Sequence, residues 1–482
     1  MPKRKESHGP LTRHAIDLLF LGALFAFLYL FHEIYVDDAF INLAYARTFG
    51  ESGVWGMHFP YVSNAATSPL NVLLPSALIR AGLSGLWAVY ALECLLAAVI
   101  FFALKFTARC IYFPPFWAYV ATLALFTNPL LVSTSGLETY LFIAILLGCC
   151  IAYVLERYLP LGLAAGLLVL ARPDGVLLLA PLFILMVAAR QVPQFGKVMI
   201  GFVLIVGAWS VFSWFDLGSM IPDTYFIKRK EAAWHGFSFA NGLALYYHKY
   251  PVATFLSLIL AVFVPFGLAL AKGNWLWRAF VVLVGGLALV QYIAYGLLNL
   301  PPYHWYYGIL IGAVVLIGSA GLVAMAERVS RRVALGLAAA IIFAGAATCA
   351  EAAIVRRQMP ITTNLGTIAQ YRAIADWMNA HIPIDEFKIA GELGVIQYYG
   401  RADAVNNFSD RRILLDLLHR LRHGSPGKWL ADMNFAHLAM RPHVASDYLL
   451  EENCKTSADA IKTWTTSSSW NDSITWCLRH EK

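Results

Sequence analysis

Apolar runs about 20 residues long recur along most of the chain, and a helix of about that length crosses the hydrocarbon core of a bilayer. They fall at 16–35, 86–104, 116–133, 139–155, 197–213, 251–271, 279–298, 305–326 and 333–350. A further run from Leu159 to Ala189 is broken by Arg172-Pro173-Asp174-Gly175. Each half is either a short crossing or one limb of a re-entrant pair, and both versions return the chain to the side it left. Charged residues make up only 13% of the chain, against roughly 25% in soluble domains. The pattern predicts an all-α polytopic membrane protein with about eleven crossings.

The positions of Lys and Arg orient these crossings, because short cytoplasmic loops collect them. A basic head (Lys3, Arg4, Lys5, Arg13) precedes the first run, and no small-residue cleavage pattern closes that run, so it reads as a retained helix. With the head inside, the inner loops hold Lys105 and Arg109, Arg157, Arg190 and Lys197, Lys272 and Arg278, then Arg328, Arg331 and Arg332. The outer segments are then 36–85, Ser133–Glu138, Arg172–Asp174, 214–250, 299–304 and a tail from 353. The expected division is a membrane unit over 1–352 and an extracytoplasmic domain over 353–482, with the N-terminus cytoplasmic. The net charge of +7 is scattered through loops and forms no nucleic-acid stripe.

The tail reads as a small α/β domain. Lys388 to Tyr399 suggests a strand entering a glycine turn, Arg411 to Arg422 an amphipathic helix and Phe435 to Met440 a second strand. Cys454 and Cys477 lie in this tail; outside the cytoplasm they are able to form a disulfide, with free thiols as the alternative.

Unusual polar residues gather on the outer face. Asp37 and Asp38 are adjacent at a membrane boundary, where two carboxylates repel unless solvated, protonated or paired with a cation. Either both are solvated at a helix end, or one is a general base and the other a substrate or metal ligand. Arg47 is within reach of them on a helix. Pro69 to Ala81 reads as an apolar helix in the interface. Glu138 starts a helix, where the dipole favours a carboxylate as readily as catalysis does. At the broken run, Arg172 is placed to hold a phosphate with Asp174 orienting it; a simple Arg172–Asp174 pair is the alternative. Lys228, Arg229 and Lys230 form a basic cluster on the outer side against the charge trend, suited to an anionic lipid headgroup or to plain solvation. His304 sits in an aromatic run, a phosphate ligand or an acid. The chain lacks a phosphate-cradling loop, H-E-x-x-H, paired C-x-x-C and G-x-S-x-G, which weighs against a nucleotide-driven pump, a metalloprotease and a lipase.

Taken in order, DDAFINLAYAR, TSPL, SGLET, ARPDG, IPDTYFIK, HWYY and GELGVIQYYGR resemble the GT-C superfamily of membrane glycosyltransferases, and most closely its bacterial terminal arabinofuranosyltransferase-like group. The resemblance implies a GT-C membrane core with a periplasmic C-terminal domain in the bacterial inner membrane. It implies a polyprenyl-phosphate sugar donor, with arabinofuranose as one candidate sugar, and a glycan, lipid-linked or protein acceptor, with membrane lipid and no nucleic acid as partners. Asp37 and Asp38 then match the acidic catalytic motif. Arg172, Lys228, Arg229 and His304 fall to the donor phosphate, and Arg47, Glu138, Asp174 and Asp223 to the substrate. Asp223 stands where Asn is expected and Asp174 where Glu is common, which leaves the sugar open. No cofactor is required, although an acidic pair is able to hold a divalent cation. Two other classes compete: a lipid-linked sugar flippase, which predicts charges along a path and internal symmetry, and a non-catalytic scaffold, which would survive loss of Asp37 or Asp38.

Overall fold

The computed structural model describes residues 10–228, 234, 236–328, 330–406, 408–411, 415, 419, 420, 422–437, 446–454 and 459–480. Among them, seven helices are long and apolar enough to cross a membrane: His14–Phe31, Gly85–Cys110, Val192–Asp216, Pro251–Lys272, Trp275–Leu297, His304–Met325 and Arg331–Arg356. Four shorter apolar helices, Phe116–Phe126, Thr139–Val154, Tyr158–Ala171 and Pro173–Ala188, occupy the remaining predicted crossings. Within the bundle, 83% of the His304–Met325 window is buried against 17% for Val192–Asp216. The first is therefore central and the second peripheral.

Local sequence accounts for the interruptions. Tyr158–Ala171 ends where Arg172 takes extended backbone ahead of Pro173, since a residue before proline is disfavoured in helical conformation. Pro265 marks the restart of helix after the 3-10 turn Ile259–Phe263, because it lacks the N–H the helix would use. Tyr158–Ala171 and Val192–Asp216 meet so closely that a Cβ at Gly162 would lie 2.0 Å from the Val198 carbonyl oxygen. Small residues allow such approach where no hydrophobic force drives helices together.

Helix α1 (Pro10–Leu28) leads, through a short 3-10 turn, to two helices of the first long loop, α2 (Asp37–Ser52) and α3 (Pro69–Arg80), before α4 (Gly85–Cys110). Gly53 closes α2 in the left-handed region at φ 77°, a conformation that carries no penalty for glycine. The helix expected at Pro69 to Ala81 is α3, Pro69–Arg80.

The C-terminal region forms a five-stranded mixed sheet, β1 (Glu386–Ala390), β2 (Asp403–Val405), β3 (Tyr448–Glu452), β4 (Ala460–Thr466) and β5 (Ile474–His480), in the order β2-β1-β3-β5-β4. The pairs β1–β2 and β1–β3 are parallel; β5 runs antiparallel to β3 and β4. Cys454, just after β3, is bridged to Cys477 on β5. Two local expectations change. The strand read from Lys388 ends at Ala390, and Gly394–Tyr399 is a helix, because the chain must turn from β1 to make its parallel crossover to β2. No strand starts at Phe435, where a turn follows the Pro426–Asn434 helix; 438–440 and most of 411–422 lie outside the described residues.

The sheet is not detached from the helices. One hydrophobic cluster joins Phe40, Leu43 and Trp55 of the first long loop to Tyr371, Ile396 and Trp476 of the C-terminal region.

Candidate active site

The adjacent aspartates at the start of α2 have different surroundings. Asp37 is 5% exposed and accepts three backbone N–H bonds: from Leu393 at 3.2 Å and Gly394 at 2.8 Å to Oδ2, and from Val395 at 2.8 Å to Oδ1. It thereby caps the Gly394–Tyr399 helix, whose first N–H groups have no partner within the helix. A Cβ at Gly394 would lie 2.0 Å from the Asp37 carbonyl oxygen, so only glycine permits this approach. Burial pushes the Asp37 carboxyl up to about 6, while the three N–H bonds pull it back and Asp38 adds repulsion. Asp38, the next residue, is only partly buried.

Beside the pair, Glu392 accepts the Leu365 N–H at 3.0 Å and the Tyr371 hydroxyl. Burial, with the charges of Asp37, Glu452 and Asp38 adding to it, holds Glu392 well above the ordinary carboxylate range. Arg47 donates to the Tyr398 carbonyl and stacks 4.9 Å from that ring's centre. Asp37 and Arg47 thus both face the C-terminal region.

A second charged group lies inside the helical part, at the break between the Tyr158–Ala171 and Pro173–Ala188 helices. Arg172 donates from Nε and a terminal nitrogen to the two oxygens of Asp174, each at 3.0 Å, and from the other terminal nitrogen to Glu138 and to the Trp305 carbonyl, each at 3.2 Å. Asp174 Oδ2 also accepts from Tyr295 at 2.8 Å and Gln291 at 3.1 Å. A guanidinium has five N–H donors, so about one of Arg172's remains uncommitted. Lys228 completes the group. Its ammonium donates to the Tyr306 hydroxyl at 3.3 Å and stands 4.8 Å from the Tyr303 ring and 5.8 Å from that of Trp305, and its charge acts on Glu138. Four predicted residues, Arg172, Asp174, Glu138 and Lys228, therefore converge as two cations and two carboxylates.

The remaining predicted residues sit elsewhere. Asp223 is buried and paired with Arg411 at 2.7 Å; burial raises its carboxyl above the ordinary value and the guanidinium opposes that. His304 is fully buried, its Nε2 donating to the Ser133 carbonyl at 3.1 Å, while Nδ1 finds no partner among the described residues. Arg229 lies outside the described residues. Among those described, no three His, Cys, Asp or Glu side chains converge as a metal ligand set.

Two carboxylates that the sequence reading passed over are also built in. Glu93, on α4, accepts the Gly136 N–H at 2.7 Å and the Tyr35 hydroxyl at 3.3 Å, joining the turn before Glu138 to the segment before Asp37. Asp17, on α1, binds Lys105 and the Tyr119 hydroxyl, both at 2.5 Å. A signal for both was available, since an ionisable side chain inside a crossing needs a partner.

Solved structures share this fold. ArnT from Cupriavidus metallidurans bound to undecaprenyl phosphate superposes with a TM-score of 0.59 at 11% identity, over 97% of this chain and 98% of ArnT. The same protein in the apo state gives 0.60 at 12%, over 96% and 98%. The arabinofuranosyltransferase AftD from Mycobacteria gives 0.53 at 12%, over 97% of this chain but 40% of AftD. No family model and no curated protein matches the sequence. At these identities the likeness is one of fold: the chain shares the ArnT architecture, a bundle whose described residues include seven helices long and apolar enough to cross a membrane, ending in a small mixed sheet.

Proposed function

We propose that this chain is a membrane glycosyltransferase that moves a sugar from a polyprenyl-phosphate donor to an acceptor hydroxyl on the outer face of a bacterial inner membrane. The observation that carries this reading is the full-length likeness to ArnT, a protein whose structure holds undecaprenyl phosphate. The buried cation–carboxylate group at the broken helix supports it, because charge at such a site calls for a polar ligand or a partner. In this reading residues 1–352 are the catalytic membrane unit, 353–482 form an extracytoplasmic domain over it and the N-terminus is cytoplasmic.

The reaction needs a base, a phosphate contact and a dry slot. The acceptor oxygen attacks the anomeric carbon and its proton passes to a carboxylate. The bond from that carbon to the phosphate oxygen breaks, and its electron pair leaves with the lipid phosphate. That phosphate goes from diester to monoester and gains charge, so a cation positioned beforehand lowers the barrier. Asp38 is assigned as the base. Asp37, with its oxygens already accepting three N–H bonds, positions Asp38 and the C-terminal region. Lys228 is assigned to the donor phosphate. Arg172, largely committed to Asp174 and Glu138, supplies the fixed field around it. Arabinofuranose is one sugar for the donor panel, suggested by the likeness to AftD.

The test is transfer by purified protein in nanodiscs from a panel of radiolabelled polyprenyl-phosphate sugars, with Asp38→Asn as the control. Transfer by the wild type that falls roughly 100-fold or more in the variant is expected. Full transfer by Asp38→Asn removes that residue as base, and transport of the intact lipid without transfer makes the protein a flippase.

A further inference from the structure

The C-terminal region grips the outer loop immediately before Lys228. Arg411 donates from Nε to Asp223 Oδ2 at 2.7 Å, from one terminal nitrogen to Ser219 Oγ at 2.9 Å and from the other to the Leu217 carbonyl. Asp223 is 1% exposed and Arg411 7%, so the pair is shielded from water and screened little by salt. Asn434 takes a second hold, accepting the Ile221 N–H at 2.8 Å and donating to the Ile221 carbonyl at 3.2 Å. A third is apolar, with the Phe226 ring 5.3 Å from that of Phe435.

These three holds cover the loop from Leu217 through Phe226, and Lys228 ends the same short helix, Asp223–Lys228. Successive helical residues turn by about 100°. Fixing Asp223 and Phe226 therefore fixes the direction of Lys228, which points to the Tyr303, Trp305 and Tyr306 rings beside Arg172 and Glu138.

We infer that Arg411 is a positioning residue for Lys228: by holding Asp223, the C-terminal region sets the lysine that meets the lipid phosphate in the helical part. The inference rests on the assignment of Lys228 to that phosphate. It gives the C-terminal region a part in donor binding and gives Asp223 a role without substrate contact.

The test uses full-length protein in nanodiscs, as wild type, Arg411→Ala, Arg411→Lys, Asp223→Asn and the Arg411→Ala/Asp223→Asn double variant. Donor KM and kcat are measured, together with the Kd of undecaprenyl phosphate alone by intrinsic tryptophan fluorescence. Arg411→Ala and Asp223→Asn are expected to raise KM and Kd about 10-fold with kcat within about threefold, the signature of lost binding rather than lost chemistry. Arg411→Lys recovers part of the loss, and the double variant is no worse than either single, because the two residues act as one unit. Unchanged KM and Kd, or a fall in kcat alone, overturns the inference, as does a double variant in which the single effects multiply. Should Arg411→Ala fail to fold, the nearly isosteric Asp223→Asn and the charge-keeping Arg411→Lys decide. Wild type that binds undecaprenyl phosphate in an Arg411-dependent way without transferring sugar keeps the inference and defeats the transferase reading. Transfer with no Arg411 dependence does the reverse, and wild type that neither binds nor transfers defeats both.

Discussion

The seam between the loop helices, Asp37–Ser52 and Asp223–Lys228, and the C-terminal region holds its charges by different means from the charged group at the broken helix. At the seam, Asp37 meets backbone N–H groups 356 to 358 residues away, and Asp223 meets an arginine 188 residues away. At the broken helix, Arg172 and Asp174 are two residues apart and are joined by side chains from three other helical segments. The seam is an assembly joint, made only when two distant parts of the chain meet. The broken-helix group is a local pair enlarged into a balanced cluster, and it brings a lysine among aromatic rings. The adjacent aspartates differ accordingly: Asp37 belongs to the joint, bound by three backbone N–H groups, while Asp38 beside it is only partly buried.

The largest expected effect lies at that division. Asp38→Asn should lower kcat roughly 100- to 10,000-fold and leave the Tm of the purified protein almost unchanged. A Tm loss matching that of Asp37→Asn would erase the distinction between the two residues.

Arg172→Ala comes next. It leaves Asp174 and Glu138 buried without their cation, which should destabilise the protein by about 3–5 kcal/mol, read as a fall in Tm. A smaller fall would mean that water reaches the cluster.

Asp37→Asn should cost about 1–3 kcal/mol, because an amide NH₂ group replaces one acceptor facing backbone N–H donors. Its mark is local: faster hydrogen exchange at 393–395, with the broken-helix segment unaffected.

A further effect is the pH dependence of the seam. Asp37 titrates at about 6 against an ordinary 3.8, so between these values the folded chain holds a proton that the unfolded chain has lost. This contribution to stability is fully present below the ordinary value, is lost as pH rises through about 6 and is flat above. Glu392 and Glu452 are displaced in the same direction. Tm should decline as pH rises through that window, and Asp37→Asn should flatten part of the decline.

Much of the fold was legible because apolar run length is a local, additive signal. The break at Arg172 was legible for the same reason, since Pro173 and two charges interrupt an apolar run. The strands β4 and β5 went unread although β-branched residues and tryptophans fill them, because neither shows a clean apolar alternation; β4 is largely exposed and β5 mostly covered. The roles of Asp37, Arg47 and Asp223 were illegible for a deeper reason. Each is defined by a partner in the C-terminal region, and nothing in the neighbouring sequence names a partner that far away. Arg411 drew no notice on its own account, being one basic residue in a predicted amphipathic helix. Glu93 could have been read, as a carboxylate inside an apolar crossing.

The central claim is tested most directly by following a doubly labelled donor, with one isotope on the sugar and another on the polyprenyl phosphate, in proteoliposomes containing candidate acceptors. The account predicts that the sugar label moves to an acceptor one-for-one with release of polyprenyl phosphate, and that a nucleotide sugar offered instead is inert. Sugar taken from the nucleotide, or both labels crossing the bilayer together, would contradict it.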